Sequence, residues 1–229
     1  MPVINEYKKH DCMLIAVDCI IFGFDGKDLK VLLIKRGFEP GLGKWSLMGG
    51  FVASGESIDK GASRILEMLT GLNNIYMEQL YCFGDIDRDP GGRVVSISYF
   101  ALIKIDDSSP LMKAYNAKWF NIKNVPAMVF DHKKMIGMAK ERLRQKVANH
   151  PIGFELLPEK FTLPQLQNLY EAIYETTFDK RNFSRKILSL QILNKLDEKE
   201  KLLSKKGAFY YQFDDNKYKE LSHEGLKFI

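Results

Sequence analysis

Between Asp179 and Ser189 the chain carries Lys180, Arg181, Asn182, Ser184, Arg185 and Lys186. These side chains are donors suited to phosphate oxygens and to the edges of base pairs. Arginine pairs with guanine through two hydrogen bonds and asparagine with adenine, whereas lysine meets phosphate as a point charge. Ser184 is small enough to let a helix sit close to DNA. From Lys180 to Lys206, nine Lys or Arg stand against three acids, a local balance of +6 in a chain of net charge +5. Such a stripe is the electrostatic footprint of a nucleic-acid surface. Lys205 and Lys206, just before Gly207, would place further charge on a glycine-containing loop between two strands.

Presenting these donors takes a scaffold, and the flanking sequence predicts one. Asp179 is a good N-cap for a helix over 180–189, with Phe183, Ile187 and Leu190 on one face. Upstream, Thr162 and Gln165 have capping-box spacing, and Pro164 is tolerated in the first turn. Leu166, Leu169, Tyr170 and Ile173 then recur at i, i+3, i+4 and i+7, which predicts an amphipathic helix over 164–174. Two helices joined by a short turn outline a helix-turn-helix. A segment over 191–196 and the aromatic strand Ala208–Phe213, around the Lys205-Lys206-Gly207 loop, give the outline of a wing.

Pro151, Gly153 and Pro158 punctuate the chain, so a linker is expected at about 149–158, dividing it into domains 1–150 and 151–229. The first domain mixes strands and helices. Two apolar runs flank Asp25-Gly26-Lys27-Asp28, a β-hairpin signature. Phe38 to Gly50 is Gly-rich and reads as loop. Ser57 caps a helix over 58–69; strands are expected over 78–83, 93–105 and 117–120, and a basic amphipathic helix over 131–147.

Bulk properties narrow the class. Of the 229 residues 45% are hydrophobic and 28% charged, as in an ordinary globular chain, and no apolar run reaches the length of a membrane span. The first ten residues lack a signal-peptide pattern, so a cytoplasmic protein with no membrane partner is expected. Cys12, Cys19 and Cys82 are odd in number, lack metal-type spacing and read as reduced core thiols. The four histidines are scattered. No metal site, cofactor or catalytic residue is expected.

The segment Gly50 to Leu72 resembles the Nudix box, G-x5-E-x7-R-E-U-x-E-E-x-G-U with U aliphatic. Gly50, Glu56, Arg64, Leu66, Gly71 and Leu72 fall in register, and Trp45 to Gly50 resembles the lead-in W-x-L-P-G-G with Met48 in place of proline. The three glutamates expected after Arg64 are instead Ile65, Met68 and Leu69. In a working hydrolase that helix face carries carboxylates for Mg²⁺, which needs oxygen ligands. Three apolar side chains supply none, and are expected to pack against the domain instead. The resemblance therefore implies a retained fold with lost hydrolysis.

A Nudix-like domain followed by a winged helix containing Asp179-Lys180-Arg181-Asn182-Phe183 resembles the Nudix-related transcriptional regulators, nearest to their sugar-responsive branch, which includes arabinose regulators. Phe161-Thr162-Leu163 and Asp87-Arg88-Asp89-Pro90 support it. The implied fold class is α+β: a Nudix-like α/β/α sandwich with a mixed sheet, then a winged helix-turn-helix. The implied function is repression of a sugar-utilisation or related metabolic operon by a homodimer on a palindromic double-stranded operator. The implied effector is a sugar such as a pentose, or an ADP-ribose-like nucleotide. The former substrate cleft would hold it through Arg36, Phe38, Trp45, Glu56, Asp85, Asp87, Arg88 and Arg93. Two readings compete. One is an active Nudix hydrolase on ADP-ribose or another nucleoside diphosphate derivative, with Glu39, Asp85 or Asp87 compensating. The other is a scaffold whose basic domain binds protein or RNA.

Overall fold

The computed structural model describes residues 4–71, 75, 77–105, 116–149, 154–201 and 207–222. After a short helix α1 (Ile4–Tyr7), strands β1 (Leu14–Phe24) and β2 (Leu29–Lys35) form the expected hairpin, with Phe22 opposite Val31 and Phe24 opposite Leu29. The Asp25 carboxylate closes the turn, accepting from the backbone of Lys27 at 3.0 Å and of Asp28 at 2.7 Å.

The hairpin is the centre of a seven-stranded mixed sheet. β6 (Val94–Leu102) runs parallel to β1 along its whole length, and β5 (Met77–Phe83) lies antiparallel outside β6. β3 (Trp45–Ser46) and β7 (Lys118–Asn121) pair with β2, and β4 (Met48–Phe51) pairs with β1. The stretch expected as loop, Phe38 to Gly50, thus contributes two strands. Gly49 and Gly50 hid β4, because glycine shows no alternation. Gly49 is needed there: a Cβ on it would run into the Asp18 carboxylate.

Alternation along β1 fills both layers. Val17, Cys19 and Ile21 face helix α2 (Ile58–Thr70), which buries Ala62, Ile65, Leu66 and Leu69. Ile20, Phe22 and Phe24 face helix α3 (His132–Asn149), which buries Met135, Ile136, Ala139, Leu143 and Val147. Ser57 caps α2 by accepting from the Lys60 backbone, and Gly71 ends it in the left-handed conformation. Only Cys19 is a core thiol. Cys12, ahead of β1, and Cys82, on the outward side of edge strand β5, are exposed.

The second unit begins with β8 (Phe161–Thr162) and helix α4 (Leu163–Tyr174), whose Thr162–Gln165 capping box is present on both sides. Helix α5 (Lys180–Ser189) is capped by Asp179. β9 (Leu193–Glu200) and β10 (Ala208–Phe213) pair antiparallel, β10 also pairs with β8, and helix α6 (Asp215–Ser222) follows. This is a winged helix. Its core is continuous with that of the first unit: Leu143 and Val147 of α3 join one cluster with Leu156, Phe161, Leu166, Tyr170 and Ile187. Of the stretch expected as linker, residues 150–153 lie outside the described residues, as does Leu72 of the box-like segment.

Candidate functional site

Helix α2 presents the metal-type positions. Ile65 and Leu69 are 1% and 4% exposed and sit in the core against the sheet. Met68 departs from the expected packing: its side chain lies 48% exposed, because three apolar positions span more of a helix than the contact stripe covers. Glu56 is fully engaged. It accepts from Arg64 Nη2 at 2.6 Å and Nε at 2.9 Å, and from the Ala53 backbone at 2.8 Å. Those bonds, that from Arg64 first, hold its carboxyl down to about 2. One carboxylate bound to an arginine, beside two buried aliphatics and a thioether, does not fit Mg²⁺. Among the described residues no three His, Cys, Asp or Glu side chains are grouped as metal ligands would be.

A cleft of about 570 Å³, counting the part open to solvent, lies on the other side of β4. Asp18, Arg36, Phe38, Phe51, Arg88, Phe130 and His132 are among its walls. Its floor is a buried polar network. Arg88, on the turn between β5 and β6, bonds Asp131 at 2.8 and 3.1 Å and lies 3.7 Å from Asp18. Asp18 accepts from Ser96 Oγ at 2.6 Å. His132 opens α3 beneath them. Its Nδ1 accepts the Leu47 N–H at 3.0 Å, so the ring proton sits on Nε2, 3.6 Å from Asp18. At the mouth, the Arg36 guanidinium is stacked 4.0 Å from the Phe38 ring and 5.1 Å from that of Phe130, and bonds the Pro40 carbonyl at 2.7 Å.

Of the eight effector residues expected from sequence, the cleft brings together Arg36, Phe38 and Arg88. Trp45 packs edge-on against Phe120 at 4.7 Å and supports the core. Glu56 is held by Arg64. Asp85 and Asp87 are exposed on the turn, and Arg93 staples that turn through the Gly84 and Asp85 carbonyls at 2.8 and 3.1 Å. Sequence reasoning missed Asp18, Phe51, Phe130 and His132. Asp18 alone left a signal, as the one acid inside an apolar strand.

Burial, which outweighs the opposing charges of Asp18 and Asp131, pushes the His132 imidazole below its ordinary value of 6.5. It is therefore neutral when folded. A depressed folded value makes this contribution complete above about pH 6.5 and lost as pH falls through the folded value. The wild-type melting temperature is expected to fall more than that of His132→Gln between about pH 7.5 and 5.5; equal shifts in the two proteins would refute this.

On the winged helix, Lys180, Arg181, Asn182, Arg185 and Lys186 are exposed along α5, Ser184 is half-buried, and Phe183 and Ile187 anchor the opposite face. Arg185 Nη2 bonds Asn182 Oδ1 at 2.9 Å. Leu188, 42% exposed, extends the Arg181–Arg185 stripe with an apolar side chain that sequence reasoning did not include. Lys205 and Lys206 lie outside the described residues.

Helix α3 of the first unit holds the turn of this motif. Arg144 donates to the carbonyls of Ile173 and Tyr174 at 2.9 and 3.4 Å, and to Glu175 at 2.7 Å; Lys140 bonds Glu175 at 2.7 Å. Glu175, left-handed at φ 55°, ends α4. Its carboxyl is lowered by Lys140 first and then by Arg144.

Residues 13–137 match the NUDIX domain family, and residues 153–213 match the NrtR DNA-binding winged helix domain. The chain is 32% identical over 215 residues to the ADPR responsive transcriptional repressor NtrR of Acinetobacter baylyi, covering 91% of this chain and 86% of that protein. It is 34% identical over 143 residues to the ADP-ribose pyrophosphatase of Methanocaldococcus jannaschii, covering 62% and 80%. The crystal structure of Shewanella oneidensis NrtR complexed with a 27mer DNA superposes with a TM-score of 0.78 at 29% identity, covering 90% of this chain and 95% of that one.

Proposed function

Since this chain belongs to the NrtR family of Nudix and winged-helix proteins, we propose that it is a transcriptional repressor that reads duplex DNA through α5 and senses an ADP-ribose-type nucleotide in the cleft beside β4. The observation that carries the reading is the exposed row of Lys180, Arg181, Arg185 and Lys186, which meets no carboxylate among the described residues. A helix-turn-helix presenting free cations is built for phosphate and base edges. The protein acts in the cytoplasm, as a homodimer on a palindromic operator, two copies of α5 meeting half-sites one helical turn apart.

An ADP-ribose-type effector is favoured over a free pentose. Phe38 and Phe51 leave about half of their side-chain surface uncovered, 56% and 47%, at the cleft mouth, where a base would stack. The buried floor of Asp18, Arg88 and His132 offers partners for ribose hydroxyls. The relatives named for ADP-ribose support the same choice. The sensor binds without cleaving, because Ile65 and Leu69 belong to the core and Glu56 to Arg64. The repressor's target then follows the effector, an operon of nucleotide or sugar metabolism.

ADP-ribose at about 100 times its dissociation constant is expected to raise stability by about 2.7 kcal/mol, read as a thermal shift. Arabinose is the comparison. A shift with arabinose alone selects the pentose. No product is expected from ADP-ribose with Mg²⁺ at high protein concentration. Magnesium-dependent turnover would instead establish the hydrolase reading, the activity for which the pyrophosphatase relative is named.

A further inference from the structure

The wing carries a second cationic feature outside α5. Phe209 in β10 is half-buried and packs against the core of the winged helix. In β9, opposite it, a register shift departs from a regular ladder. Phe209 faces Lys199 and Tyr211 faces Lys195, so a four-residue step along β9 meets a two-residue step along β10. Without that bulge Lys199 would lie opposite residue 207. With it, both lysines return to one ring. Lys195 Nζ lies 3.7 Å and Lys199 Nζ 4.3 Å from the Phe209 centroid.

The two ammonium nitrogens are therefore no farther apart than the sum of those distances. Both side chains are exposed, and among the described residues neither meets a carboxylate. Of the two acids between them, Glu198 is drawn away to Lys160 at 2.8 and 3.0 Å, and Asp197 is exposed and forms no ion pair with either lysine. The ring attracts each ammonium, while the two charges repel one another. An anion shared between them relieves that repulsion. Phe209 also holds the flexible side chains in place beforehand, which lowers the ordering cost of binding. Gly207, at φ 69°, tightens the neck of the hairpin: a Cβ there would stand 2.8 Å from the Glu200 carbonyl.

We propose that Lys195 and Lys199, gathered over Phe209 by the β9 bulge, form a platform that grips the sugar–phosphate backbone of duplex DNA. The proposal rests on the reading of this chain as a DNA-binding repressor. Backbone contacts of this kind add affinity without regard to base sequence.

The test uses the full chain and a labelled random-sequence duplex of about 30 base pairs, titrated between about 50 and 200 mM salt. The double variant Lys195→Gln/Lys199→Gln is expected to bind several-fold more weakly. Its slope of log affinity against log salt should be shallower by about 1.8, some 0.9 for each phosphate no longer neutralised. Phe209→Leu keeps both charges, so its slope is expected to match wild type while its affinity falls. Thermal melts confirm that each variant is folded. An unchanged slope and affinity in the lysine variant, with binding weakened in Arg181→Ala/Arg185→Ala, overturns the platform and leaves the repressor reading standing. Failure of the wild-type protein to bind any duplex overturns both. Unaltered affinity in Phe209→Leu removes the role given to the ring.

Discussion

Arg181→Ala and Arg185→Ala are each expected to weaken binding to a duplex that the wild-type protein selects from a random pool by about 1–3 kcal/mol, roughly 5- to 150-fold. Both arginines lie on the exposed face of α5, four residues apart, so they point the same way. The helix that carries them is anchored from behind by Phe183 and Ile187 and started by Asp179, whose carboxylate accepts the Asn182 N–H at 2.8 Å. Alanine removes the guanidinium without disturbing that support. The effects are expected to differ in kind. Arg185 is bonded to Asn182 in the free protein, so Arg185→Ala and Asn182→Ala should be non-additive in a double-mutant cycle. Arg181 has no such partner among the described residues, and its loss should add to either. Electrophoretic shift or anisotropy at one fixed salt concentration measures the wild type, the three single variants and their pairwise doubles. Unchanged affinity in both arginine variants would sink the placement of α5 in the groove.

A second large effect is expected at the floor of the cleft. Arg88 has a side chain only 3% exposed, bonded twice to Asp131 and close to Asp18. Arg88→Met preserves bulk but leaves two carboxylates without their cation. Removing one partner of a buried pair costs about 3–5 kcal/mol, because the survivor stays buried and uncompensated. Replacing both, as in Arg88→Met/Asp131→Leu, is expected to recover part of that loss, since an apolar pair needs no compensation. Denaturant titration gives the values. A loss below about 1 kcal/mol in the single variant would mean that the network is solvated in solution. The same variant should abolish the thermal shift with ADP-ribose, because the network also shapes the cleft.

How far the sequence foretold this depends on whether the signal was local. Caps and turns lie within a few residues of what they control, so Ser57, the Thr162–Gln165 box and Asp179 located α2, α4 and α5 directly. Fixed spacing likewise singled out Ile65, Met68 and Leu69, the positions where the box-like pattern expects carboxylates. The cleft was different. Asp18, Ser96, Arg88 and His132 come from three strands or turns and the start of a helix, and only the crossover that sets β6 parallel to β1 brings them together. Expected ligands from the turn, such as Asp87 and Arg93, were sensible by residue type, yet the turn directs them to solvent and to its own carbonyls. β4 escaped notice because its glycines carry no pattern. The lysine pair on the wing was counted as charge, but its convergence depends on a bulge that no spacing rule reveals.

The core that runs from the sheet through α3 into the winged helix has a consequence for how such regulators can be rearranged. A chimera cut at residues 150–153 would strip Leu143 and Val147 of their partners on one side and Leu166 and Tyr170 on the other. Moving the cut upstream of α3 keeps that packing but carries Asp131 and His132 away from the cleft they floor. Neither seam is clean. A reader domain exchanged onto a foreign sensor would need its matching α3 surface, so new pairings of signal and operator are more accessible through point changes on α5 and in the cleft than through shuffling of whole modules.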